Sequence, residues 1–134
     1  MKEALTSLLL GDAALQALVA GRIHWLRQPR QAEGFPYVNL TMISDPRSYH
    51  MAGPSRLRTT RVQLDVWAET YAEAEAVKEA VDDLLGGYRG TLGRVRFQGI
   101  FLGGERDLND QTTGEERQLF RINVDLSISW KKEV

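Results

Sequence analysis

Hydrophobic and polar positions alternate most clearly in three places, and these place the main elements of the chain. In residues 61–67, Val62, Leu64 and Val66 alternate with Arg61, Gln63, Asp65 and Trp67, the period of a half-buried strand. Beyond Thr70 the period changes. Tyr71, Ala74, Val77, Val81 and Leu84 recur at three- and four-residue spacings, which predicts one apolar stripe on a helix. Thr70 and Glu73 form a T-x-x-E capping box at its start, and Gly86 is expected to take the left-handed conformation that ends it, with Gly87 loosening the exit. In the last stretch, LFRINVDLSISW, Phe120, Ile122, Val124, Leu126, Ile128 and Trp130 alternate with polar residues, a second half-buried strand.

The remaining elements are shorter. Leu5, Leu8 and Leu9 share one face of a helix ending near Gly11; Asp12 then caps a second, with Leu15, Leu18 and Val19 inward and Gly21 past its end. Residues 22–27 predict a brief strand, 28–36 a loop with two prolines, and 37–43 a better strand. Residues 44–56 form a long loop with Pro46, Gly53 and Pro54, of a length that is uncommon unless functional or mobile. Residues 88–93 read as a turn, 94–102 as a strand with Gly99 at a bulge, and 103–117 as a long polar connection, in part an extended hairpin arm. The order is α-α-β-β-β-α-β-β. It predicts an α+β domain over residues 1–134, with two layers: a mostly antiparallel sheet of four to five strands, polar on one face and covered on the other by one long and two short helices.

Composition narrows the class. A 134-residue chain can bury about two-thirds of its unfolded surface as one domain. The net charge of −1 gives no global attraction to nucleic acid. The absence of cysteine excludes disulfides, thiolate metal sites and cysteine nucleophiles. The apolar N-terminus carries one lysine beside Glu3 and is interrupted by Asp12, unlike a signal peptide, and no stretch reaches the roughly 20 apolar residues of a membrane span. The protein is expected to stay where it is made, or to be built into something there.

Candidate chemistry is sparse. His24 and His50 lie far from ligand spacing, so each reads as a surface or packing histidine. Asp107, Asn109 and Asp110 are rich in oxygen, but the glycine and terminal glutamate of a calcium loop are out of register, leaving a solvated turn. Asp82 and Asp83 are adjacent on a helix and face different directions; they sit at the unfavourable end of the helix dipole, which points to solvent or an outside partner. No phosphate loop, serine elbow or nucleotide fingerprint is present. No enzyme activity, cofactor or metal is expected.

The charge distribution is more informative. Residues 22–61 hold seven arginines (22, 27, 30, 47, 56, 58 and 61) against Glu33 and Asp45. Residues 62–85 hold seven acids against Lys78 alone. Solvated faces with weak local pairs are one reading. The other is a head-to-tail interface between subunits, for which the arginine fork suits carboxylates. The candidate interface residues are Arg22, Arg27, Arg47, Arg56, Arg58 and Arg61 on one side, and Glu69, Glu73, Glu75, Glu79, Asp82 and Asp83 on the other.

GDAALQALVAGRIHWL, the later FPYVNLTMIS and RVQLDVWAETYAEAEAVKEAVDDLL, together with FRINVDLSISW, resemble the tail completion (tail terminator) proteins of long-tailed bacteriophages and of gene transfer agents. The resemblance spans nearly the whole chain apart from 44–56 and 103–117. It implies a virion structural protein assembled in the bacterial cytoplasm as a homo-oligomeric ring, typically a hexamer. Its partners would be the tail tube protein and a head-completion or stopper protein, with DNA passing through the lumen unread and no membrane involved. Two alternatives stay open: another head–tail connector component such as the stopper, and a small-molecule-binding or enzymatic α+β domain.

Overall fold

A computed structural model describes residues 1–26, 34–47, 49–54, 56–110 and 119–132. Helix α1 (Lys2–Leu10) ends at Gly11, and α2 (Ala13–Val19) starts at Asp12, whose carboxylate accepts from the Leu15 N–H at 2.9 Å. Leu5, Leu9, Leu15 and Val19 are fully buried, while Leu8 and Leu18 lie at the rim of the core. The strands are β1 (Ile23–Trp25), β2 (Tyr37–Ser44), β3 (Tyr49–His50), β4 (Gly53–Pro54), β5 (Leu57–Ala68), β6 (Gly90–Leu92), β7 (Val95–Asp110) and β8 (Leu119–Lys132). Helix α3 (Tyr71–Leu85) joins β5 to β6.

The main sheet has six strands in the order β1-β2-β5-β8-β7-β6. All its pairs are antiparallel except β1 with β2. The α+β class therefore holds, with more strands than the four to five expected and with one parallel edge. Between β2 and β5, the stretch expected as a loop contains the small β3–β4 hairpin.

Alternation settles which side chains meet the helices. Val62, Leu64 and Val66 of β5 lie in register with Leu126, Val124 and Ile122 of β8, and all six are buried against the helical layer. The odd-numbered residues of both strands point to the other, helix-free face. Helix α3 is set on the sheet by Ala74, Val77, Val81 and Leu85. This stripe is rotated from the expected one. Leu85 rather than Leu84 completes it, and Tyr71 is 43% exposed, because Tyr71 turns outward to donate its hydroxyl to Asp107 at 2.9 Å. The Thr70 hydroxyl caps the helix by accepting from the Glu73 N–H at 3.2 Å.

Three boundaries differ from expectation. Gly86 is extended, and Gly87 takes the positive φ instead, at 74°. Even so, position 86 needs glycine, because a Cβ there would stand 2.8 Å from the Asp82 carbonyl oxygen. Residues 90–92, read as turn, form an edge strand that reverses through Gly93 into β7. Strand β7 continues to Asp110, so 103–110 is the extended hairpin arm that the sequence allowed in part, and Asp107 belongs to it rather than to a turn. The register shifts at Gly99, as expected, and again between Leu102 and Glu105.

Candidate assembly surfaces

The helix-free face of the sheet divides across its length. Around its upper end, Asp65 and Asn123 are 5% and 1% exposed although no helix covers them. The Asp65 carboxylate accepts from Arg121 Nε at 3.0 Å, Asn123 Nδ2 at 2.8 Å and Gln63 Nε2 at 3.0 Å. Three donors replace the lost water, which is what a buried carboxylate requires. Above them Tyr37 stacks on Trp67 at 6.2 Å, and the Arg121 guanidinium lies 5.1 Å from the Trp67 ring. Cross-strand register brings these groups together, since Tyr37 faces Trp67, Trp67 faces Arg121, and Asp65 faces Asn123. Beside this network, His24 and Asn39 are partners across β1 and β2. His24 Nε2 and Asn39 Oδ1 are buried without a hydrogen-bond partner among the described residues, and burial lowers the His24 pKa below its ordinary value.

The lower end of the same face is open. Arg61, Ser127 and Phe101 share one rung, and Leu57, Lys131 and Arg96 another. Arg61 and Arg96 are exposed and form no ion pair among the described residues. Phe101 is 58% exposed, its ring folded over Gly99, where a Cβ would meet it at 2.9 Å.

The arginines singled out by sequence separate into three groups. Arg22 is turned inward and donates to the backbone oxygens of Pro36 (2.9 Å), Phe35 (3.0 Å) and Leu18 (3.4 Å), which fastens the start of β2 to the end of α2. Arg58 pairs with Asp45 and lies 4.9 Å from the Trp130 ring. Asp45 also accepts from Thr60, whose oxygen accepts from Trp130 Nε1 at 2.8 Å. This chain of contacts pins the beginning of the 44–56 connection and forms one wall of a 720 Å³ cleft that also takes in Met1, Leu92 and Arg94. Arg47, Arg56 and Arg61 are exposed, and Arg27 lies outside the described residues.

The acids divide similarly. Lys78 reaches Glu105 at 3.5 Å, Asp82 at 3.6 Å and Glu75 at 3.9 Å, tying α3 to β7. Burial lowers the Lys78 pKa, but Glu105, Asp82 and Glu75 together outweigh it and leave the ammonium held above its usual range. Glu75, Glu105 and Asp107 bring carboxylate oxygens within 4.8 Å of one another. That cluster is already served by the Lys78 ammonium and the Tyr71 hydroxyl. Burial raises the Asp82 pKa, and Lys78 opposes the rise. Glu69, Glu73, Glu79 and Asp83 are exposed and unengaged in ion pairs among the described residues. Sequence reasoning missed Arg96 and Lys131, although alternation places Lys131 beside the inward Trp130 and therefore on the open face.

Comparison with known proteins identifies the class of assembly. The family model for tail completion protein gp17 matches residues 3–130. The chain belongs to that family. It is a structural component of a phage-type tail and resides in the virion. A chain from the virion of a native gene transfer agent particle shares its fold, with a TM-score of 0.75 at 22% identity over 98% of this chain and 94% of that one. No curated protein matches significantly. Among the described residues, no helix is long and apolar enough to cross a membrane.

Proposed function

We propose that residues 1–134 act as one tail-terminator unit. Copies assemble into a ring, a hexamer by the family resemblance, that caps the head-proximal end of the tail tube, stops its polymerisation and offers a surface to the head-completion protein. DNA passes through the lumen without being read. The family match over residues 3–130 carries this reading. The separation of unused charge supports it: exposed Arg47, Arg56 and Arg61 lie near the β3–β4 end, and exposed Glu69 just before α3 and Glu73, Glu79 and Asp83 along it form the other group. A molecule with two different, complementary surfaces forms head-to-tail contacts, and these close into rings when the rotation allows. The role needs no reactive centre, and we propose no enzymatic activity.

Electron microscopy of the purified protein, alone and mixed with tail tubes, tests the proposal. Rings seated at one end of the tubes are expected. Tubes that keep growing past the protein, with no ring at either end, would contradict it.

A further inference from the structure

We infer that the open lower half of the helix-free sheet face is the socket for a second copy of this chain, and that the outward ridge of α3 is what enters it. This rests on the ring reading above and assigns its subunit interface. The sequence pointed to the arginines between 22 and 61 as the basic partner. The structure moves that role to Arg61, Arg96 and Lys131, which come from β5, β7 and β8 and share one face.

Three observations converge on this pairing. The first is charge. On the lower half of the helix-free face stand three cations, Arg61, Arg96 and Lys131, none in an ion pair among the described residues, whereas Arg121 and Arg106 of the upper half are engaged by Asp65 and Asn123. The ridge of α3 opposite its buried stripe carries Glu79 and Asp83, both exposed, one turn apart.

The second is shape. The same ridge continues through Ala72 and Ala76, which let a partner approach closely, while the sheet carries small Ser127 and Ser129 beside Arg61 and Lys131. Arg61 and Arg96 are about 17 Å apart, from two strand spacings and four residues of rise. Glu79 and Asp83 lie about 6 Å apart along the helix, within the span that the two arginines bracket.

The third is apolar surface. Phe101 and Leu57 are 58% and 51% exposed on this half of the face, and burying such anchors at the centre of a charged rim is how subunit interfaces gain affinity.

Complementary charge reversal tests the assignment. One variant carries Arg61→Glu and Arg96→Glu; the other carries Glu79→Arg and Asp83→Arg. Each alone sets like charges face to face and is expected to self-associate at least about tenfold more weakly than the wild type. An equimolar mixture makes every contact complementary again, with its sign inverted where the reversed socket meets the reversed ridge and native where the two unaltered surfaces meet, so alternating assemblies are expected by native mass spectrometry and sedimentation. Circular dichroism of each variant alone verifies that it is folded before mixing, so failure of rescue reports on the pairing. Two losses without rescue would overturn the pairing. Unchanged association by both variants, with rings still forming, would place the interface elsewhere and leave the ring reading intact. If the wild type forms no ring on tail tubes, the ring reading itself falls, and this interface with it.

Discussion

Two halves of one sheet face use the same kinds of residue to opposite ends. In the upper half, Arg121, Asp65, Asn123 and Trp67 meet one another, and the charges are used within the chain. In the lower half, Arg61 on β5 and Arg96 on β7 flank β8 with no carboxylate opposite them among the described residues. Local composition does not separate the halves, since both are rich in arginine and hydroxyl or amide side chains. What separates them is whether the cross-strand register supplies a partner. Where it does, the charges are satisfied within the chain; where it does not, they stay without an ion pair among the described residues, and these are the ones proposed to meet a second copy.

The comparison breaks most readily at Asp65. Removing it leaves Arg121 and Asn123 without their acceptor, so Asp65→Ala should cost about 3 kcal/mol of folding stability in chemical denaturation. A loss below about 1 kcal/mol would mean that the upper network is decorative. Thr70→Ala gives a yardstick from outside both halves. Loss of the α3 N-cap should cost about 1 kcal/mol and leave the sheet face unchanged. Reversing Arg61 and Arg96 should move stability by less than about 0.5 kcal/mol, because no contact within the chain is lost. A large destabilisation there would show that the lower half is also structural.

The smallest effect concerns pH at the margin of the upper half. Burial lowers the His24 pKa from 6.5 in the folded chain. The unfolded chain therefore takes up a proton near pH 6.5 that the folded chain resists. Folding stability should fall as pH drops through that value toward the folded pKa, and be fully present above it. A His24→Phe variant should flatten the slope between neutral pH and pH 5, as read from denaturation midpoints.

Much of this architecture was legible in the sequence. Alternation in Val62–Val66 and Ile122–Trp130 identified the two central strands because burial on one face imposes that pattern. Asp12 and Thr70 marked helix starts because a capping oxygen is a local requirement that tertiary packing does not need to supply. The upper part of β7 was only partly legible, as an arm without bounds. GGERDLND carries no apolar alternation, and its strand conformation comes from pairing with β8 rather than from burial. The candidate surface was only half legible for a related reason. A count of arginines along the chain cannot tell Arg22 and Arg58, held within the subunit, from Arg61, held outside it. That difference depends on which residues long-range register and loop packing set beside them. Arg96 and Lys131 joined the surface only when β7, β8 and β5 were placed side by side.

Hydroxyl-radical footprinting tests most directly whether the lower half is the surface that assembly covers. Side-chain reactivity would be compared between assembled wild-type protein and the dissociated Arg61→Glu, Arg96→Glu variant. The account predicts that Phe101 and Leu57 lose most of their reactivity in the assembly, while Trp67, already packed against Tyr37 and Arg121, changes little. Phe101 and Leu57 remaining as reactive in rings as in free subunits would contradict it.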